Sequence, residues 1–204
     1  MIPGAALILV IVAMVVPVFF VGMWIMSAHS RLVGLRNRYQ DAYTRIDVLL
    51  KKRYSLVPEL VEIVKGYVSQ ESGTPDAVLA ARNAASEASR RAGQFPGDSA
   101  PMMDLSGAES ALAATLQRLF AAAQGYPELK ADKKMKGLID ELSSTETEIA
   151  MARQAYNDAV MSYNTVRETF PTSIIATPFS FGPAESFVLQ KPNEQLAHNA
   201  LPPS

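Results

Sequence analysis

Met135–Phe170 reads MKGLIDELSSTETEIAMARQAYNDAVMSYNTVRETF. In it Met135, Leu138, Leu142, Thr145, Ile149, Ala152, Tyr156, Ala159, Tyr163, Val166 and Phe170 recur at alternating steps of three and four without a slip. An α-helix turns once in about 3.6 residues, so this rhythm lines the residues along one face and makes a heptad seam. At about 1.5 Å per residue the helix is roughly 55 Å long. It closes at Phe170-Pro171, because proline disfavours helical backbone in the residue before it. A seam of that length needs other long helices to cover it, so the stretch points to a bundle.

The chain to its N-terminal side supplies them. Ser106-Gly107-Ala108-Glu109 has the spacing of a capping box. Leu112, Leu116, Leu119 and Ala123 then mark a helix ended by Gly125-Tyr126-Pro127. Gly93–Asp104, with its Gly, Pro, Asp and Ser, reads as a loop. Leu60, Ile63, Val64 and Tyr67 mark an earlier helix beginning near Pro58, with Glu59 and Glu62 in its first turn, where negative charge suits the helix dipole. It reaches a break or kink at Ser72-Gly73-Thr74-Pro75, with Thr74 in the capping position, and continues Ala-rich to about Arg91. The first stripe is Leu32, Leu35, Tyr39, Ala42, Ile46 and Leu49, and Tyr54–Pro58 interrupts it as a turn. No β-alternation of useful length appears before Pro171. The fold class is therefore all-α: an N-terminal transmembrane helix followed by an antiparallel four-helix bundle with long helices. Residues 1–30 form the N-terminal segment, 31–170 the bundle and 171–204 a Pro-containing tail. In this order the tail returns to the membrane end. Its Ile174, Ile175, Phe179, Phe181 and Phe187 either pack under the bundle or touch lipid headgroups. The helix lengths do not agree: about 35 Å for the first above Arg31, against nearer 50 Å for the second and fourth. Either the second helix breaks at Gly73 or the bundle extends past the first turn.

The first thirty residues are of another kind. No charged side chain precedes Arg31, and fourteen Leu, Ile, Val or Phe residues lie between Ile2 and Met26. At roughly −0.4 kcal/mol each they favour insertion by about 6 kcal/mol. A cleaved signal needs a basic start and a shorter apolar core, and neither is present. Trp24 stands where an indole prefers the interface. Beyond the span come Arg31, Arg36, Arg38 and Arg45, then Lys51, Lys52 and Arg53, against only Asp41 and Asp47. Basic flanks stay on the cytoplasmic side, so the expected topology is a short outside N-terminus and a cytoplasmic bundle.

A net charge of −1 argues against nucleic acid as the main partner. With no cysteine there is no disulfide framework, thiolate metal site or cysteine nucleophile. His29 and His198 stand at the membrane boundary and in the tail, without a second ligand at helical spacing, which reads as solvated histidine. A di-iron bundle site needs Glu-x-x-His motifs that this chain lacks. Neither a phosphate-binding glycine loop nor a nucleophile elbow is present. The expectation is no catalytic residue, no metal and no cofactor.

From Leu32 to about Phe187 the chain resembles the LemA family. The matching words are Leu35-Arg36-Asn37, Ile46-Asp47-Val48, Lys51-Lys52-Arg53, Leu56-Val57-Pro58-Glu59-Leu60-Val61, Val64-Lys65-Gly66-Tyr67, Ala81-Arg82 and Tyr126-Pro127-Glu128-Leu129-Lys130. Glu146, Ile149-Ala150, Ala152-Arg153, Tyr156-Asn157, Tyr163-Asn164, Phe170-Pro171, Ile175-Ala176 and Phe181 follow in order. The resemblance implies a bacterial inner-membrane protein with a helical bundle and an outside N-terminus. It brings no enzymatic activity, and one branch of the family is associated with magnetosome membranes. Three places depart from the pattern: His29-Ser30, Ser72-Gly73-Thr74-Pro75 and the tail after Phe187.

Two groups of residues are candidates for contact. Arg31, Arg36 and Arg38 sit where basic side chains meet anionic headgroups or simply set topology. Lys51 to Arg53 stand some 30 Å up a straight helix, beyond the reach of the surface potential, and read as a solvated outer face or a protein contact. Tyr156, Asn157, Tyr163 and Asn164 lie seven apart in pairs and form either a polar ladder for a partner or internal bonds within the monomer. The expected function is a non-enzymatic membrane scaffold that binds copies of itself or a protein partner. An adaptor or regulator of another membrane protein, such as a protease, is the rival, and an enzyme built on helix-borne carboxylates the remote one. No small-molecule substrate is expected.

Overall fold

The computed structural model describes residues 4–67 and 73–189. Its elements are α1 (Gly4–Lys65), α2 (Thr74–Gln94), α3 (Ser99–Ala123), α4 (Pro127–Ala131), α5 (Lys133–Glu168) and α6 (Ser173–Ala176), with no strand among the described residues. The N-terminal part of α1 is long and apolar enough to cross a membrane, with a mean hydropathy of 2.3. From Ile11 to Met23 every side chain on it is exposed. The bundle is assembled on the remainder of the same rod.

The expected turn at Tyr54–Pro58 is absent: α1 is a single helix of 62 residues that passes through Pro58. Proline lacks the N–H that would bond the carbonyl four residues back, which here is that of Tyr54. Arg82 on α2 supplies the missing donor, its Nε lying 2.9 Å from the Tyr54 carbonyl oxygen. A second helix therefore does not begin at Pro58. Glu59, expected at a helix start, instead pairs with Lys134 at 2.8 Å. The length conflict disappears with the turn, since α1 runs beside α5 to its distal end. Tyr39, Tyr43, Ile46, Leu50, Arg53, Val57, Leu60 and Val64 are buried in steps of four and three straight through the proline.

α1 packs on α5 and α2, and α2 packs on α3. Tyr39 meets Tyr163, Tyr43 meets Tyr156 and Arg53 meets Glu146, so α5 runs antiparallel to α1. Asp47–Ser89 and Lys65–Asp76 give the same direction to α2. Gly73, with φ +58°, precedes α2 and Pro75 stands in its first turn, so of the break or kink expected there it is a break, and α2 runs back along α1. The loop expected over Gly93–Asp104 is shorter than that: α3 already starts at Ser99, since Pro101 in a first turn loses no bond. Gly97 makes that turn at φ +94°, and a Cβ there would lie 2.8 Å from Tyr39 Cε2. At the other end Asp132 caps α5, its Oδ1 accepting from the amides of Lys134 and Met135 at 2.7 and 2.9 Å.

α3 and α5 approach each other little. Beyond α6 residues 181–189 form neither helix nor strand and lie along this open side of the bundle, with 182–187 spaced as extended chain by their bonds to α5. It bonds to α3 at one edge and α5 at the other.

Candidate functional site

The α3–α5 side carries two different constructions. Nearest the apolar half of α1, α5 presents Tyr163, Asn164, Tyr156 and Asn157 to the extended segment. Asn164 Nδ2 donates to the Ala184 carbonyl at 2.8 Å, and its Oδ1 accepts the Ala184 amide at 3.0 Å. Asn157 does the same to Phe187, at 3.1 and 2.8 Å. The Tyr163 hydroxyl donates to the Gly182 carbonyl at 2.8 Å and that of Tyr156 to the Glu185 carbonyl at 2.7 Å. Seven helical residues rise about 10.5 Å. Three extended residues span about 10 Å, so each heptad of α5 meets three residues of strand-like chain in register. On the far edge the Glu185 amide donates to the Gly97 carbonyl at 2.8 Å, and Ser106 Oγ donates to the Val188 carbonyl. The four sequence-predicted residues thus hold the chain's own C-terminal segment. Phe181, Ala184 and Phe187 are buried beneath it.

Ser106 and Glu109 are not a capping box, since α3 begins two turns earlier. Glu109 is instead one of the most buried side chains, and it pairs with Arg53 of α1. The second guanidinium nitrogen of Arg53 donates to Glu146 of α5 at 2.8 Å. The Tyr54 hydroxyl donates to Glu109, with the Ala85 carbonyl oxygen 3.2 Å away. Arg53 is only 4% exposed and Glu146 52%, so one end of the cluster opens to solvent. Arg53, expected on a solvated outer face or in a protein contact, is therefore inside. The signal was in the sequence, because Arg53 falls on the same four-three seam as Leu50 and Val57. Arg53 Nε has no hydrogen-bond partner among the described residues.

Next to this cluster α3 and α5 part to leave a groove of about 550 Å³, lined by Arg53, Leu116, Phe120, Ile139, Leu142 and Glu146 among others. Phe120 and Ile139 also line a second hollow of about 310 Å³ that leads on to Leu129 and Met135. Ala150, seven residues from Asn157, borders the first hollow. The groove is therefore the continuation of the seam that the extended segment fills lower down. No described residue covers it.

Burial raises the pKa of Tyr39, Tyr43, Tyr156 and Tyr163, and pushes Tyr54 up to about 12 even beside the Arg53 cation. These phenols are neutral hydrogen-bond donors at physiological pH. Arg31, Arg36 and Arg38 are all exposed on α1, and Arg38 borders a shallow groove between α1 and α5. Lys51 pairs with Asp47 at 2.6 Å on the same helix, and Lys52 lies 3.6 Å from Glu141. His29 is half-buried against the rings of Phe179 and Phe181. His198 lies outside the described residues. No cluster of three or more Asp, Glu or His able to hold a metal occurs among the described residues.

No curated protein matches the chain. Among known families, the model of the LemA family matches residues 42–199. The match begins within α1 and extends past Phe187, so the C-terminal segment that closes the α3–α5 side is part of the family's pattern. Covering more than three-quarters of the sequence, it shows that the chain belongs to the LemA family.

Proposed function

We propose that the protein is a non-enzymatic scaffold of the bacterial inner membrane, anchored by α1, whose distal α3–α5 groove receives a second copy of the chain. The observation that supports this reading is the groove itself. Its walls combine Leu116, Phe120, Ile139 and Leu142 with a polar edge at Gln117, Ser143, Glu146 and Thr147, and continue a seam that, lower down, accommodates an extended segment. Leu116 and Leu142 are nearly buried at its floor, while Ile139 stands 37% exposed at its rim. Copies anchored by the same rod hold this groove at one height above the bilayer, and confinement to a plane raises their encounter rate. The basic flank of Arg31, Arg36 and Arg38 supports a cytoplasmic bundle and a short outside N-terminus.

A photocrosslinking residue at Ile139 tests this in cells, with Met161 on the proximal half of α5 as control. Crosslinking between two copies from Ile139 but not from Met161 is the expected result. An adduct with a different protein favours the adaptor or regulator of another membrane protein instead. A crosslink confined to one chain, or equal yields at both sites, contradicts the reading. So does a measured turnover lost on Glu59→Gln.

A further inference from the structure

We propose that the bundle has a second membrane contact: the turn from Phe170 to Phe179 is a foot seated in the headgroup layer beside the emerging span. The inference rests on the reading of α1 as a membrane span. Three independent observations carry it.

The first is length. Residues 4–30 of α1 hold no charged side chain. At 1.5 Å per residue this is about 40 Å of rod. A hydrocarbon core takes up about 30 Å of it, and the headgroup layer is some 5–7 Å thick on each side. The last turns before Arg31 therefore lie in that layer, with Trp24 near its inner edge.

The second is what covers those turns. From Ile11 to Met23 α1 is bare, and then Trp24 and Ile25 become partly buried and Ala28 almost fully so. α6 packs there against α1 and α5, and His29 meets Phe179 and Phe181 with ring centroids 5.3 and 5.4 Å apart. The foot thus stands at the level of the headgroups, not above it.

The third is its surface. Between Glu168 and Glu185 the chain has no charged residue. Ile175 and Phe181 turn into the core, but Phe170 is 76%, Ile174 60% and Phe179 49% exposed. Large apolar side chains left bare on one turn, next to a span whose first charged residues are Arg31, Arg36 and Arg38, match the make-up of an interfacial anchor. Two attachments, the span and the foot, would prevent the rod from swivelling and would fix which face of the bundle a neighbour meets.

The chain has no cysteine, so nitroxide labels can be placed singly on the full-length protein in lipid vesicles. The sites are Ile174→Cys and Phe170→Cys on the foot, Val15→Cys on the span and Met151→Cys on the exposed face of α5. Collisions with lipid-dissolved oxygen are compared with those of a water-soluble nickel chelate, after unchanged helicity shows that each variant is folded. The expected result is an oxygen-to-nickel ratio at both foot sites several-fold above that at Met151 and approaching that at Val15. Foot ratios equal to Met151 with Val15 lipid-exposed overturn the foot and leave the anchor standing. A water-like Val15 overturns the anchor and the foot with it. Foot labels shielded from both reagents and coupled to labels on other copies also overturn the proposal, since a protein would then cover the patch.

Discussion

The two halves of the α3–α5 side face the same difficulty and resolve it differently. Two helices that stand apart leave a channel, and channels expose polar backbone and apolar side chains alike. In the proximal half the chain fills the channel with its own extended segment. Tyr and Asn side chains at heptad spacing satisfy the backbone that this segment exposes. In the distal half nothing described fills it. There a buried charge cluster stands beside an open groove floored by Leu116 and Leu142. The comparison teaches that seam asparagines need not be a docking code for a partner. Here they are main-chain receptors for the chain itself, and the open groove lies where they stop.

Breaking the distal half gives the largest effect. Arg53→Met leaves the Glu109 carboxylate buried without its cation, a loss of about 3–5 kcal/mol. Chemical denaturation of the full chain in detergent measures it. Adding Glu109→Leu is expected to recover most of that loss, because a well-packed apolar pair replaces an ion pair at little cost. A loss under about 1 kcal/mol for Arg53→Met alone would mean that the cluster is not buried in solution.

Breaking the proximal half should be milder and local. Asn157→Ala removes a donor and an acceptor from one residue of the tail, about 1–3 kcal/mol. The readout is hydrogen exchange at the Phe187 amide, which should speed markedly while amides in the middle of α1 keep their protection. Uniform loss of protection would show that the segment is part of the global fold and not a separable filler.

The smallest effect sharpens the account of α1. Arg82→Ala withdraws the donor that replaces the N–H missing at Pro58, about 1 kcal/mol. Pro58→Ala restores the helix's own bond, so the double variant should recover most of the stability of Pro58→Ala alone. Additive losses would remove Arg82 from this role.

Much of this architecture was legible because helix period speaks locally. Most of the α5 seam was read residue by residue: Met135, Leu138, Leu142, Thr145, Ile149, Tyr156, Ala159 and Tyr163 are buried, Ala152 and Val166 are partly so, and Phe170, expected to end the seam, lies past α5 and is 76% exposed. The apolar span was equally plain, whereas the sequence left open whether the second helix breaks at Gly73 or is only kinked there. What escaped was decided by residues distant in sequence. Pro58 breaks a helix unless another element supplies a donor, and that donor comes from Arg82 on α2. Glu109 satisfied the spacing of a capping box, and only its contact with Arg53 reveals its different use. Even so, the seam carried a clue, since Leu50, Arg53, Val57, Leu60 and Val64 keep their four-three steps across Pro58. A turn at that point would have put the last two out of register with the first three.

The most direct measurement is the mass of the full-length protein in native lipid discs by light scattering. The account predicts a defined multiple of the 22.1 kDa chain, reduced to a single copy by Ile139→Asp at the rim of the distal groove. A single chain for the unaltered protein, or a multiple that Ile139→Asp leaves unchanged, would contradict it.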